Sequence, residues 1–219
     1  MNADDFLMWV RGPGFDLALI IFVAGMLLRL IEVLSLGKKP DLSEGRGSGV
    51  SGGLRTIFSR TFPRMTVFSK EPLRIINGYI MHIGLFIVIF LYGPHIELFE
   101  TSFGVTWPNL PSGMVDAATA ITILSMVVAL VLRLNTKTLR YLSTFGDYWA
   151  WLVTFLPMLT GYLAFNHLLL PYTTMLALHI LTVEILLISA PFSKLTHMFG
   201  FVLSRWYQGY QAGHRGVES

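Results

Sequence analysis

Residues 75–99 read IINGYIMHIGLFIVIFLYGPHIELF. The run is apolar for longer than any core strand. At 1.5 Å per residue it crosses the roughly 30 Å hydrocarbon layer of a bilayer. Four more segments share its length and apolarity, at about 15–36, 114–134, 148–170 and 174–192. In lipid the backbone must satisfy its own hydrogen bonds. Segments this long do so as helices, because barrel strands are shorter and alternate in polarity. The expectation is an all-α membrane protein. It is a single bundle of five transmembrane helices over residues 1–219, with a loop at 37–73 and a tail at 194–219.

Composition agrees with this. The chain has 219 residues, of which 53% are hydrophobic and 13% charged, against a soluble norm of about 25% charged. Mean hydropathy is +0.61. The absence of cysteine excludes disulfides, thiolate catalysis, iron–sulfur clusters and cysteine-attached haem on this chain. The first span is too long, and follows Asp4 and Asp5 too closely, for a cleaved signal peptide.

The basic residues set a direction. Lys38, Lys39, Arg46, Arg55, Arg60, Arg64, Lys70 and Arg74 follow the first span. Arg133, Lys137 and Arg140 follow the third, and Lys194, Arg205 and Arg215 follow the fifth. These are fourteen of the sixteen Lys and Arg residues. The positive-inside rule puts this side in the cytoplasm, with the N-terminus outside and the C-terminus cytoplasmic. The basic excess is therefore topological and gives no case for nucleic acid. Trp107, Trp149, Trp151 and Trp206 stand near span ends, where interfacial anchors gather.

The long cytoplasmic loop contains Gly45-Arg-Gly-Ser-Gly-Val-Ser-Gly-Gly53. It is either a flexible linker or a surface that orders when a cytoplasmic subunit docks.

Histidine inside a membrane is costly and points to function. Five of the six histidines lie in or at the ends of spans. The sixth, His214, lies in the polar tail. Antiparallel spans two and five present them at two depths, His82 with His197 at the inner level and His95 with His179 at the outer. Facing imidazoles at matched depth are what bis-histidine ligation of haem requires. The separations are 13 and 18 residues, roughly 20 and 27 Å along the helices. Residues 179 and 197 share a helical face, whereas 82 and 95 fall about 140° apart. Gly93-Pro94, directly before His95, supplies a kink that rephases it. Two haems so placed form an electron path across the bilayer. His167, beside Asn166, is an alternative outer ligand or part of a quinone site with Glu97. Histidine can exchange protons with a quinone headgroup near neutral pH. Glu184, mid-span, is expected as a neutral acid bonded to a backbone carbonyl or to the Thr160 or Thr182 hydroxyl, or as a proton-relay position. Arg29 and Glu32, three apart, are placed to pair. Asp116 reads as a helix-start charge.

Met81-His-Ile-Gly-Leu85 and Ala190-Pro-Phe-Ser-Lys-Leu-Thr-His-Met198 resemble the gamma subunit of respiratory nitrate reductase. They also resemble the related b-type cytochromes of sulfite-reductase-linked and heterodisulfide-reductase-like membrane complexes. The resemblance covers nearly the whole chain. It implies two b haems held by two histidines on span two and two on span five, and carries this directly to His82, His179 and His197. The nitrate reductase type places its second span-two histidine where this chain has Tyr92. Here the histidine is His95, and the stretch from Gly93 to Glu100 with Asn109-Leu-Pro111 resembles the sulfur-metabolism branch more closely. The resemblance implies a quinone-reactive membrane anchor in a prokaryotic cytoplasmic membrane. Such an anchor exchanges electrons between menaquinone or ubiquinone and a cytoplasmic iron–sulfur or heterodisulfide-reductase-like subunit. The chain would then be the electron-transfer subunit of a quinone-linked oxidoreductase. A mono-haem anchor, or a cofactor-free anchor or transporter, is the alternative.

Overall fold

A computed structural model describes residues 2–37 and 44–217. The chain is 82% helix with no strand among the described residues. Five helices are long and apolar enough to cross a membrane: Ala3–Ser35, Pro72–Leu91, Ser112–Asn135, Phe145–Phe165 and Tyr172–Phe192. The five expected spans are therefore present as helices. Lys38 and Lys39 lie outside the described residues.

In chain order the helices are α1 Ala3–Trp9, α2 Phe15–Ser35, α3 Gly49–Ser59, α4 Met65–Phe68, α5 Pro72–Leu91 and α6 Gly93–Phe103. They continue with α7 Ser112–Asn135, α8 Lys137–Leu142, α9 Phe145–Phe165, α10 Tyr172–Ser189 and α11 His197–His214. A π-helical turn over Val10–Gly14 joins α1 to α2, and two 3-10 turns join α10 to α11. The chain forms two compact units, one of residues 1–22 and 73–189, the other of 23–72 and 190–219.

The second span is shorter than the sequence suggests. Helix α5 stops at Leu91, Tyr92 is extended (φ −91°, ψ 127°), and α6 starts afresh at Gly93 with proline in its first turn. Proline at a helix start lacks only an amide that would be orphaned anyway. The expected kink is thus a full break. The phase offset between His82 and His95 has no meaning across it.

Within the larger unit, polar groups on the long helices are used locally. Thr119 and Thr122 on α7 bond the carbonyls of Val115 and Ala118. Asn77 on α5 donates to the Ser125 carbonyl at 2.9 Å, and Trp151 on α9 donates to the Met126 carbonyl at 2.9 Å. Trp151 therefore ties α9 to α7 as well as having an indole suited to an interface. Arg133 pairs with Asp147 at 3.3 Å and donates to the Ser143 hydroxyl.

In the smaller unit the glycine-rich loop is a helix. Ser48 caps α3 by accepting from the Ser51 amide, and α3 packs along α11. Gly52 and Gly209 meet backbone to backbone, so a Cβ on either would strike the other's carbonyl. A Cβ on Gly213 would stand 2.6 Å from the Ser48 carbonyl, and one on Gly53 2.9 Å from the Trp206 ring. Trp206, expected as an interfacial anchor, covers this glycine. Arg60 donates to Gln208 at 2.7 Å. On α2, Arg29 pairs with Glu32 at 2.8 Å as expected, and its Nε also donates to the Pro191 carbonyl at 2.9 Å.

The α3–α11 contact leaves no room for a side chain. Gly52→Val should destabilise the smaller unit by about 1–3 kcal/mol through overpacking. The measurement is limited proteolysis of the membrane-embedded chain, in which cleavage within residues 44–64 should accelerate. Equal cleavage of variant and wild type would refute the packing.

Candidate functional site

The break after α5 creates a chemical demand. The last carbonyls of a helix have no intrahelical partner, and lipid offers none. The chain folds back to supply them. Leu110 donates its amide to the Leu91 carbonyl at 2.9 Å. Trp107 donates its indole N–H to the Phe90 carbonyl and packs on Phe99 at 5.3 Å between ring centroids. His95 bonds the Val88 carbonyl through Nδ1 at 2.7 Å. The same break that starts α6 therefore fixes the position and tautomer of His95. With Nδ1–H committed to a carbonyl, Nε2 carries the free lone pair.

His179 on α10 is held in the same way from the other side. Its Nδ1 reaches the Pro157 carbonyl on α9 at 3.0 Å. The Thr160 hydroxyl lies 3.4 Å from the same nitrogen and 3.0 Å from the Thr182 hydroxyl. Gly161 makes the space for this. A Cβ there would lie 2.9 Å from His179 Cε1.

The two rings come together. The centroids of His95 and His179 are 6.2 Å apart and their planes differ by 18°. A metal–imidazole bond is about 2 Å and the ring centroid lies roughly 1.1 Å beyond the nitrogen, so two imidazoles on opposite faces of one iron hold centroids about 6 Å apart. A carbonyl that accepts from Nδ1 is the usual support of a ligating histidine. Two carbonyl-bonded imidazoles at this separation are a donor set that a bis-histidine haem could take. Among the described residues no three or more His, Asp or Glu side chains converge as a metal site made of protein ligands alone; haem iron needs two. Helix α6 lies past the end of its span. There burial lowers the pKa of His95 below its ordinary value, against the Val88 carbonyl that raises it.

His82 and His197 are each exposed and bond a carbonyl of the preceding turn through Nδ1. The partners are Gly78 at 2.7 Å and Lys194 at 2.8 Å. They fall in separate units, and each is described only within its own.

His167 is exposed, with a left-handed backbone (φ 53°), and its ring lies 5.1 Å from that of Tyr172. Glu97 is exposed on α6, and no contact among the described residues joins it to His167. Other polar groups at this end of the helices are joined across segments. Asn166 donates to Asp116 at 2.9 Å, so Asp116 is a cross-helix acceptor beyond its expected part as a helix-start charge. The Tyr92 ring meets those of His95 at 5.2 Å and Phe165 at 6.0 Å. Its hydroxyl pKa is raised by burial and by nearby Tyr172 and Asp116. Glu184 bonds neither threonine, because Thr160 and Thr182 bond each other.

Fold and site define a class: an all-helical chain with five membrane-length helices and a carbonyl-anchored histidine pair. The chain is 30% identical over 210 residues to a protein of Nitratidesulfovibrio vulgaris (strain Hildenborough) described simply as "Protein". The match covers 92% of this chain and 91% of that one, and the chain belongs to that protein's family. No family model matches the chain, and no solved structure matches it.

The Phe90 carbonyl depends on one indole. Trp107→Phe keeps a ring against Phe99 but removes the donor. Thermal unfolding in detergent should show a loss of about 1–3 kcal/mol. An unchanged midpoint would mean that the carbonyl has another partner.

Proposed function

We propose that this chain is a quinone-reactive cytochrome b subunit of a membrane redox complex, with one haem held by His95 and His179. The observation that carries this reading is their ring pair, 6.2 Å apart and 18° from parallel, each Nδ1 anchored on a carbonyl. A haem bound there supplies a one-electron carrier. The chain's own part is to hold two neutral imidazoles apart at ligating distance, with Gly161 and the Val88 and Pro157 carbonyls setting their orientation. His82 and His197 are proposed as ligands of a second haem on the sequence argument of matched depth and motif. One haem per chain is the second reading, favoured by the fact that His95 and His179 are brought together within one unit. Stoichiometry separates the two.

The proposed orientation follows the basic residues, with the N-terminus outside, the C-terminus in the cytoplasm and the His95–His179 level outermost, in a prokaryotic cytoplasmic membrane. The quinone, menaquinone or ubiquinone, is placed at that level beside Tyr92, Asp116, Asn166, His167 and Tyr172, with Glu97 on the adjoining helix. A quinol oxidised there needs acceptors for its protons, and His167 is the residue suited to that near neutral pH. Electrons pass between this level and a cytoplasmic iron–sulfur or heterodisulfide-reductase-like partner. The docking surface is the basic loop of residues 37–70 together with the tail after Lys194.

The purified chain should show a reduced b-type spectrum. His95→Ala and His179→Ala should each abolish the same haem, and His82→Ala and His197→Ala the other. A folded chain without this spectrum would mark the alternative, a cofactor-free anchor or transporter. Equal loss of all haem in every variant would overturn the pairing.

For the quinone, haem reduction by a quinol analogue should slow about tenfold or more in His167→Ala, the scale of a lost acid–base group, with haem content retained. Wild-type rates and inhibitor sensitivity in both His167→Ala and Glu97→Gln would remove the quinone from this end.

A further inference from the structure

Glu184 lies near the middle of α10 and is only 4% exposed. Its Oε1 is buried and has no hydrogen-bond partner among the described residues. An ionisable group at membrane depth without a partner is expensive to keep and is a mark of function. Its surroundings are as unusual as its burial. The carboxyl sits against the place where the first membrane-length helix loses its α-helical path. Over Val10–Gly14 the turn is π-helical, Pro13 lacks an N–H, and Gly12 has φ −110° and ψ −106°. A Cβ on Gly14 would stand 2.7 Å from Glu184 Oε1 and 2.9 Å from the Trp9 ring. The missing side chain at Gly14 is therefore what lets the carboxyl reach the broken backbone. Such breaks leave backbone groups short of helical partners and are concentrated at functional sites. Those groups can be satisfied by ordered water.

We propose that Glu184 is a proton-exchanging carboxyl. It takes up one proton through the break at Gly12–Gly14 when an electron arrives at the His95–His179 site, and releases the proton when the electron leaves. The proposal rests on the haem reading above. In the step an O–H bond forms at Glu184 as the site gains one electron from a quinol, and the same bond breaks on reoxidation. The carboxyl carbon is neither oxidised nor reduced, and the proton neutralises the added charge. His179 and Glu184 are five residues apart on α10, a rise of roughly 7.5 Å. In a low-dielectric interior, charges at this range interact strongly. The titratable groups on the elements packed against α10 are Asp4 and Asp5 of α1, Arg11 of the π turn, and Asp147, Tyr148 and Tyr162 of α9. On α10 itself they are Tyr172 and His179. None hydrogen-bonds Oε1, so a change of charge at the haem site is not absorbed by a fixed partner of that oxygen.

The test uses the full chain with bound haem in lipid nanodiscs. Redox-induced infrared difference spectra should show a protonated-carboxyl stretch on reduction in wild type that is absent in Glu184→Gln. The haem midpoint potential, falling as pH rises in wild type, should lose part of that slope in the variant. Gly14→Ala, which presses a methyl group on Oε1, should shift the carboxyl stretch without removing it. The same stretch persisting in Glu184→Gln, or no stretch in wild type with an intact b-type spectrum, overturns the proposal. An unshifted stretch in Gly14→Ala overturns the seating at the break. A chain with no b-type spectrum fails the haem reading first, and the visible spectrum alone tells that failure from the others.

Discussion

The larger unit is organised by carbonyls that lipid cannot satisfy. When α5 ends at Leu91, its last acceptors would otherwise cost several kcal/mol each. Trp107, Leu110 and His95 meet that demand. The fold-back after α6, the packing of Phe99 against Trp107 and the fixed angle of His95 are consequences of one interrupted helix. On α9 the Pro157 carbonyl serves His179 across the helix pair. Backbone irregularity and ligand positioning are thus one feature seen from two sides.

Much of this was legible from residue order. Five runs of apolar residues specify five helices because no other structure satisfies a backbone in lipid. His95 and His179 were placed at one level by counting from span ends, and their rings do meet. The break at Tyr92 was readable as a kink from Gly93-Pro94. Its completeness was not, because it depends on Trp107 and Leu110 returning to close the helix end. The cross-helix part of Asp116 was not legible for a similar reason, because its donor, Asn166, lies on another segment.

The glycine-rich stretch shows how composition misleads. Gly45 to Gly53 carries the signature of a linker, since glycine in a helix is entropically costly. Here the glycines are the contact surface itself. Backbone-to-backbone packing of α3 on α11 needs residues without side chains at Gly52, Gly209 and Gly213, as close helix approaches in membranes do. Only the partner helix reveals this, and it lies at the far end of the sequence.

That distance governs biosynthesis. Helix α3 leaves the ribosome early, whereas α11 follows the last of the membrane-length helices. Contacts so remote in sequence form late, after the entropy of closing the intervening loop is overcome. Through most of synthesis the bare glycine face of α3 has no cover. A chain interrupted anywhere before residue 197 would expose it permanently. The α3–α11 clasp therefore closes only once α11 has been made.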